Sequence, residues 1–279
     1  MNKYLRLMRL KDQYFELGAV LAAGLTLNLK SAWIIWWGLS ATLISIAILI
    51  VNEIADRKDV DKYSWNPIHI PRHTKLDHRI VLLLVTGCAL LGLALASLVN
   101  LFWWALAILV VGIAYSLEPV RLKRLPVFDI AAQLGVWWVL PFLGPIVVSG
   151  NLKTGLPVLV NLSFLVWSCF YPYQLSDFKA DKRACLRGTH IRLGFRNSLW
   201  LGLILGLIGV ALFLTRGLFA SATWSWAFVL LEFGILYLYV HWLRMEKSQA
   251  LASMQNLVGK VKPFHQLLLL YLLLAFLFQ

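Results

Sequence analysis

The sequence predicts an all-α polytopic membrane protein, and three observations carry that expectation. Hydrophobic residues make up 60% of the 279, and the mean hydropathy is +0.75, more apolar than a soluble chain of this length sustains. Apolar stretches of membrane length, about 20 residues at about 1.5 Å rise, recur along almost the whole chain. Lys and Arg fall between these stretches with a strong bias to one side. No segment between them is long enough for a core of its own, so residues 1–279 are expected to form a single transmembrane domain.

Nine spans are expected. The first, 14–28, follows a basic N-terminus and is short, and the second, 32–51, runs into an acid-rich stretch. The third, 80–99, begins after Arg79, and the fourth, 101–116, ends at a basic loop. The fifth, 128–149, is interrupted by Pro141, Gly144 and Pro145, a combination that kinks a helix or opens a cavity. The sixth, 156–174, leads into a second acid-rich stretch. The seventh, 199–215, and the eighth, 222–243, end at Arg216 and Arg244, and the ninth, 264–278, is again short.

Lys and Arg assign the sides. The N-terminus holds four, 52–79 six, 117–127 three, 174–197 six and 244–262 four, whereas the opposite face has Lys30, Lys153 and Arg216. The positive-inside rule places the crowded face in the cytoplasm. The net charge of +13 is then a topology signal, and nucleic-acid binding is not expected. Nothing resembles a cleavable signal peptide. Cys88, Cys169 and Cys185 are scattered and form neither a metal pattern nor a disulfide framework; Cys88 and Cys169 are expected to pack inside spans.

Acid is scarce, and six of the 13 Asp and Glu residues sit in two short runs on the expected cytoplasmic face. The first run holds Asn52, Glu53, Asp56, Asp59 and Asp61, and the second holds Asp177 and Asp181. Asn52 and Asp56, and likewise Asp177 and Asp181, are spaced i, i+4, which puts each pair on one helix face. Carboxylates held that close repel unless a cation neutralises them. Mg²⁺ takes a few carboxylates and fills its octahedron with water and substrate phosphate, so a diphosphate bridged between two such sets is the natural occupant. Surface ion pairing with Arg57, Lys58, Lys179 and Lys182 is the competing explanation. A third loop, from Tyr115 and Ser116 through Glu118 and Pro119 to Arg121, Lys123 and Arg124, supplies donors suited to phosphate oxygens.

Other features have plainer explanations. His69, His73 and His78 lack the spacing of a shared metal face. Trp33, Trp36, Trp37, Trp103, Trp104, Trp224 and Trp226 lie near non-cytoplasmic span ends and read as an aromatic belt. Trp167, Phe170, Tyr171 and Tyr173 run into the second acidic motif, where aromatic faces suit a carbocation. Asp129 is expected to pair with Arg124, and Glu232 is a mid-span carboxylate in need of a partner.

With these motifs, the chain resembles the UbiA-type membrane prenyltransferase superfamily over essentially all 279 residues. The family's first motif is Asn-x-x-x-Asp-x-x-x-Asp, matched by Asn52 and Asp56, and its second is Asp-x-x-x-Asp, matched by Asp177 and Asp181. Arg187 and the Arg192-Leu193-Gly194 turn are similar to the family's text after the second motif, and the Tyr115-Ser116 loop is similar to branches that prenylate chlorins or homogentisate. The chain departs from the pattern at Val60, where a third ligand is expected; Asp59 and Asp61 flank it, and either completes the set. Gln174 stands for a frequent Asn. After the first motif, Asn66-Pro67-Ile68-His69-Ile70-Pro71-Arg72-His73 lacks the usual Ser-Gly.

The resemblance implies about nine transmembrane helices around a central cavity. It implies Mg²⁺ held by Asn52, Asp56, Asp59 or Asp61, Asp177 and Asp181, with Asp56, Asp177 and Asp181 central to catalysis. Arg72, Arg121, Lys123 and Arg187 are expected on the substrate diphosphate. The expected reaction ionises an isoprenoid diphosphate and transfers the prenyl group to an aromatic or hydroxyl acceptor within the bilayer. A terpene cyclase would use the same donor without an acceptor. A transporter is the alternative of another class, and the sequence shows no inverted repeat to support it.

Overall fold

A computed structural model describes residues 3–10, 14–29, 31–57, 74–216 and 223–277. Among these residues the structure is helical, without strands. A short α1 (Lys3–Leu7) precedes α2 (Tyr14–Leu27), α3 (Ser31–Asp56), α4 (His78–Ser97) and α5 (Phe102–Ser116). α6 (Phe128–Leu134) continues through a π turn (Gly135–Val139) into α7 (Leu140–Val148). Then come α8 (Leu152–Ser176), two short helices α9 (Phe178–Arg183) and α10 (Thr189–Leu193), and three long ones: α11 (Phe195–Arg216), α12 (Thr223–Arg244) and α13 (Lys247–Leu277).

Each expected span falls on a helix. Among the described residues, five helices are long and apolar enough to cross a membrane: α3, α4, the α6–α7 pair, α8 and α11; α2 and α5 are shorter apolar helices. The largest correction is at the C-terminus, where α13 begins at Lys247 rather than 264. Its first turns are rich in Ala, Leu, Met and Gln, strong helix formers whatever their polarity, and hydropathy alone reads them as loop.

Burial separates centre from rim. The apolar window of α3 is 67% buried and that of α4 only 17%. α4 turns Leu82, Leu83, Leu90 and Leu91 outward, a surface suited to lipid tails and unfavourable in water. α3 approaches its neighbours closely because they present glycine: a Cβ on Gly92 would press on Ile44, and one on Gly112 on Ile48. Ser40 Oγ donates to the Gly92 carbonyl at 2.8 Å. Gly202, Gly206 and Gly209 form a similar strip on α11, facing Tyr239 and Glu232 of α12 and Leu165 of α8. Small residues of this kind let membrane helices come into backbone contact.

Two prolines explain two buried polar contacts. Pro145 has no N–H for the carbonyl of Pro141, and Trp37 Nε1 donates to that oxygen at 2.9 Å. Pro172 likewise leaves the Ser168 carbonyl without its helical donor, and the Tyr239 hydroxyl donates to it at 2.9 Å. Trp37 is therefore wholly buried and not part of the aromatic belt assigned to it from sequence. The interruption at Pro141, Gly144 and Pro145 takes the form of the π turn just before it, closed by Leu140 N–H on the Gly135 carbonyl.

Candidate functional site

The first acidic motif sits where α3 ends. Asp56 is its last residue and Asn52 lies one turn earlier, half-buried. Beyond it, Arg57 Nη2 donates to the Thr74 carbonyl at 2.8 Å, bringing the end of α3 to the residues that lead into α4. Asp59, Asp61, Arg72, His69 and His73 lie outside the described residues. His78 is exposed at the start of α4.

The basic loop after α5 stands directly on this motif. Lys123 Nζ contacts Asp56 Oδ1, and Arg121 Nη2 reaches the same oxygen at 3.5 Å. Both cations are buried, with about 6% of each side chain exposed. Arg121 holds a left-handed backbone, φ 38°, uncommon for a residue with a side chain. Glu118 braces the loop from outside through Arg121 at 3.3 Å and Arg124 at 2.5 Å. Burial pushes the Lys123 ammonium down to about 7; Asp181 opposes that shift and Arg124 adds to it. The Asp56 contact also favours its charged form.

The second motif lies close by: the Lys123 carbonyl abuts Gly188, two residues before the His190 that contacts Asp181. α8 ends at Ser176, Asp177 occupies the turn, and α9 carries Asp181. The helix is broken there, yet Asp181 N–H donates to the Asp177 carbonyl at 2.9 Å, so the i, i+4 relation survives. Gln255 Nε2 donates to the Ser176 carbonyl at 2.9 Å and pins the turn to α13. Arg187 is exposed, unlike Arg121 and Lys123.

Behind Asp181 lies a connection that the sequence did not reveal. His190 Nε2 is 2.9 Å from Asp181 Oδ2, and its Nδ1 is 4.0 Å from Asp129 Oδ2. Asp129 accepts from Thr189 N–H at 2.7 Å and from the Thr189 hydroxyl at 2.5 Å. Thr189 Oγ1 also receives the Val127 N–H at 2.7 Å, where Val127 is held at φ 72°. A Cβ at Gly188 would meet Asp129 Oδ2 at 2.6 Å and the Lys123 carbonyl at 3.1 Å, so glycine permits this approach. The sequence reading paired Asp129 with Arg124. The structure gives Asp129 to Thr189 and His190, about 60 residues away in the chain, because the α10 turn folds back over α6.

The aromatic run of α8 lines a narrow cleft below the motif. Trp167, Phe170 and Tyr171 face Ile130, Gln133 and Leu134 of α6 across it, and Gln133 and Gln174 are hydrogen-bonded to each other. Tyr173 packs on Phe170 with ring centroids 6.3 Å apart. Deeper still, Glu232 is fully buried and accepts from Cys169 Sγ at 3.5 Å, so Cys169 has a polar contact beyond packing. All three cysteines are free thiols.

Chemically, this is a mouth of carboxylate and amide oxygens faced by buried cations above an apolar, aromatic cleft. Asn52 Oδ1 is buried without a hydrogen-bond partner, an amide oxygen available to a cation. Oxygen donors alone suit a hard divalent ion. Among the described residues, no three His, Cys, Asp or Glu side chains gather into a ready-made metal cluster. A bound ion there would draw on substrate oxygens, as Mg²⁺ sites usually do.

Comparison with known proteins follows the same lines. The model of the UbiA prenyltransferase family matches residues 16–277. The structure of a UbiA homolog from Archaeoglobus fulgidus bound to DMAPP and Mg²⁺ superposes with a TM-score of 0.71, at 22% identity over 99% of both chains. The same homolog bound to GPP and Mg²⁺ gives 0.68 at 22% identity, again over 99% of both. A digeranylgeranylglyceryl phosphate synthase gives 0.65 at 16% identity, over 98% of this chain and 95% of that one. At these identities the structural likeness establishes the fold. No curated protein matches the chain.

Proposed function

Because the chain belongs to the UbiA prenyltransferase family, we propose that it is an integral membrane enzyme that ionises an isoprenoid diphosphate and transfers the prenyl group to an aromatic or hydroxyl acceptor. The observation that carries this reading is the Asp56–Arg121–Lys123 cluster, whose Lys123 carbonyl abuts Gly188 in the turn where His190, backed by Asp129, holds Asp181. The Mg²⁺ bound with DMAPP or GPP in the homolog supports the same assignment for the donor.

Asn52, Asp56, Asp177 and Asp181, completed by Asp59 or Asp61, would hold Mg²⁺. When bound, the metal supplies charge neutralisation for the leaving diphosphate. Arg121 and Lys123 add cationic donors to phosphate oxygens, and Arg72 and the exposed Arg187 are assigned the same role. Lys123 and Arg121 lie against Asp56, and with Asp56 engaged as a ligand both would be available to the diphosphate. The allylic C–O bond breaks with its electron pair leaving on the diphosphate. Trp167, Phe170 and Tyr171, which line the narrow cleft, would exclude water from the carbocation and offer it aromatic surface. A new bond to the acceptor then forms, and the acceptor loses a proton. The acidic motifs lie on the cytoplasmic face in this reading, following the distribution of Lys and Arg.

Product analysis distinguishes the transferase from its nearest rival. Purified protein in nanodiscs is given DMAPP or GPP with Mg²⁺, with and without a panel of aromatic and hydroxyl acceptors. A prenylated acceptor, formed only when donor, metal and acceptor are all present, is the expected product. A cyclic hydrocarbon formed without acceptor would make the protein a terpene cyclase instead.

A further inference from the structure

Asp181 is carried by α9, a helix of six residues between two turns, which gives its carboxylate little rigidity of its own. The rigidity comes from His190. A carboxylate only accepts hydrogen bonds, so His190 Nε2 carries the proton and donates it to Asp181 Oδ2 at 2.9 Å. His190 is buried, with 7% of its side chain exposed, and is fixed on several sides. Phe178 meets it edge-on with ring centroids 6.2 Å apart, and its carbonyl accepts the Ser198 hydroxyl at 3.3 Å. Its other nitrogen faces Asp129 Oδ2 at 4.0 Å, an electrostatic approach beyond hydrogen-bond range. Asp129 is locked in turn by the two Thr189 donors. The path Asp181–His190–Asp129 thus anchors the second acidic motif to α6, and among the described residues no other polar side chain hydrogen-bonds the Asp181 carboxylate.

We propose that His190 is a positioning residue for Asp181: it occupies Oδ2 and fixes the carboxylate so that Oδ1 is left for the cation, with Asp129 backing the imidazole from α6. This rests on the metal–diphosphate site proposed above. Partners behind a metal ligand orient it and typically change metal affinity by about 10–100-fold.

The test is Mn²⁺ binding by electron paramagnetic resonance, on the full chain in nanodiscs with inorganic diphosphate present. Wild type, His190→Ala and His190→Gln are compared, with metal-free melting temperatures recorded alongside. His190→Ala is expected to weaken Mn²⁺ binding by about 10–100-fold. His190→Gln, whose amide nitrogen reaches the Nε2 position, is expected to recover most of it. Wild-type affinity in His190→Ala overturns the proposal. So does a His190→Gln protein that binds as weakly as His190→Ala while melting normally, because the donor then plays no part. A wild-type protein that binds no Mn²⁺ overturns the metal site itself, which separates that failure from this one.

Discussion

Asp56→Asn is expected to lower metal-dependent diphosphate release by about 10³-fold, the upper range for a group aimed at charge that develops in the transition state. Asn keeps an oxygen in place but removes the negative charge that draws a divalent ion and holds Lys123 and Arg121. The choice of Asn matters. Asp56→Ala would take from both buried cations the oxygen they contact as well as the charge, and breaking a buried pair outright costs about 3–5 kcal/mol. A loss of activity in the alanine variant would then mix catalysis with folding. Steady-state diphosphate release on the Asn variant, with its melting temperature measured alongside, keeps the two apart.

The largest effect on stability is expected from Gly202→Ala, far from the catalytic mouth. A Cβ at that position would overlap the Tyr239 hydroxyl. Tyr239 cannot retreat freely, because that hydroxyl serves the Ser168 carbonyl left without a helical donor by Pro172. The substitution therefore combines overpacking with a buried carbonyl that loses its donor. Together these are expected to lower stability by about 2–4 kcal/mol. Thermal unfolding in detergent measures it, with Tyr239→Phe as the companion that loses the hydrogen bond but adds no bulk. A Gly202→Ala protein as stable as wild type would show that the α11–α12 contact is looser than described.

What the sequence disclosed followed from local spacing. Asn52 and Asp56, Asp177 and Asp181, and the Arg121–Lys123 loop were legible because each set lies within a few residues at helical spacing, in a chain otherwise poor in acid. The span positions were legible because lipid demands unbroken apolar runs. The start of α13 was not, since its first turns are polar and only their helix propensity marks them. Asp129 with Thr189 and His190 was hidden for another reason. The partners are about 60 residues apart, and a lone His beside a Thr has no pattern until the chain folds back. Trp37 looked like belt because it lies among other tryptophans near a span end, whereas Pro145 decides its place by freeing a carbonyl that needs a donor. Both prolines were visible in the sequence, but which helix would answer each was not.

The most direct test of the central claim is diphosphate release from GPP by the wild-type protein in nanodiscs, with Mg²⁺ and again with a chelator, supplied with the acceptor panel. Release that requires Mg²⁺, falls to background in the chelator and is lost in Asp177→Ala is the expected result. Release that is indifferent to the metal, or a protein that binds GPP with Mg²⁺ yet releases no diphosphate with any acceptor, would contradict the assignment of the two carboxylate motifs to ionising an allylic diphosphate.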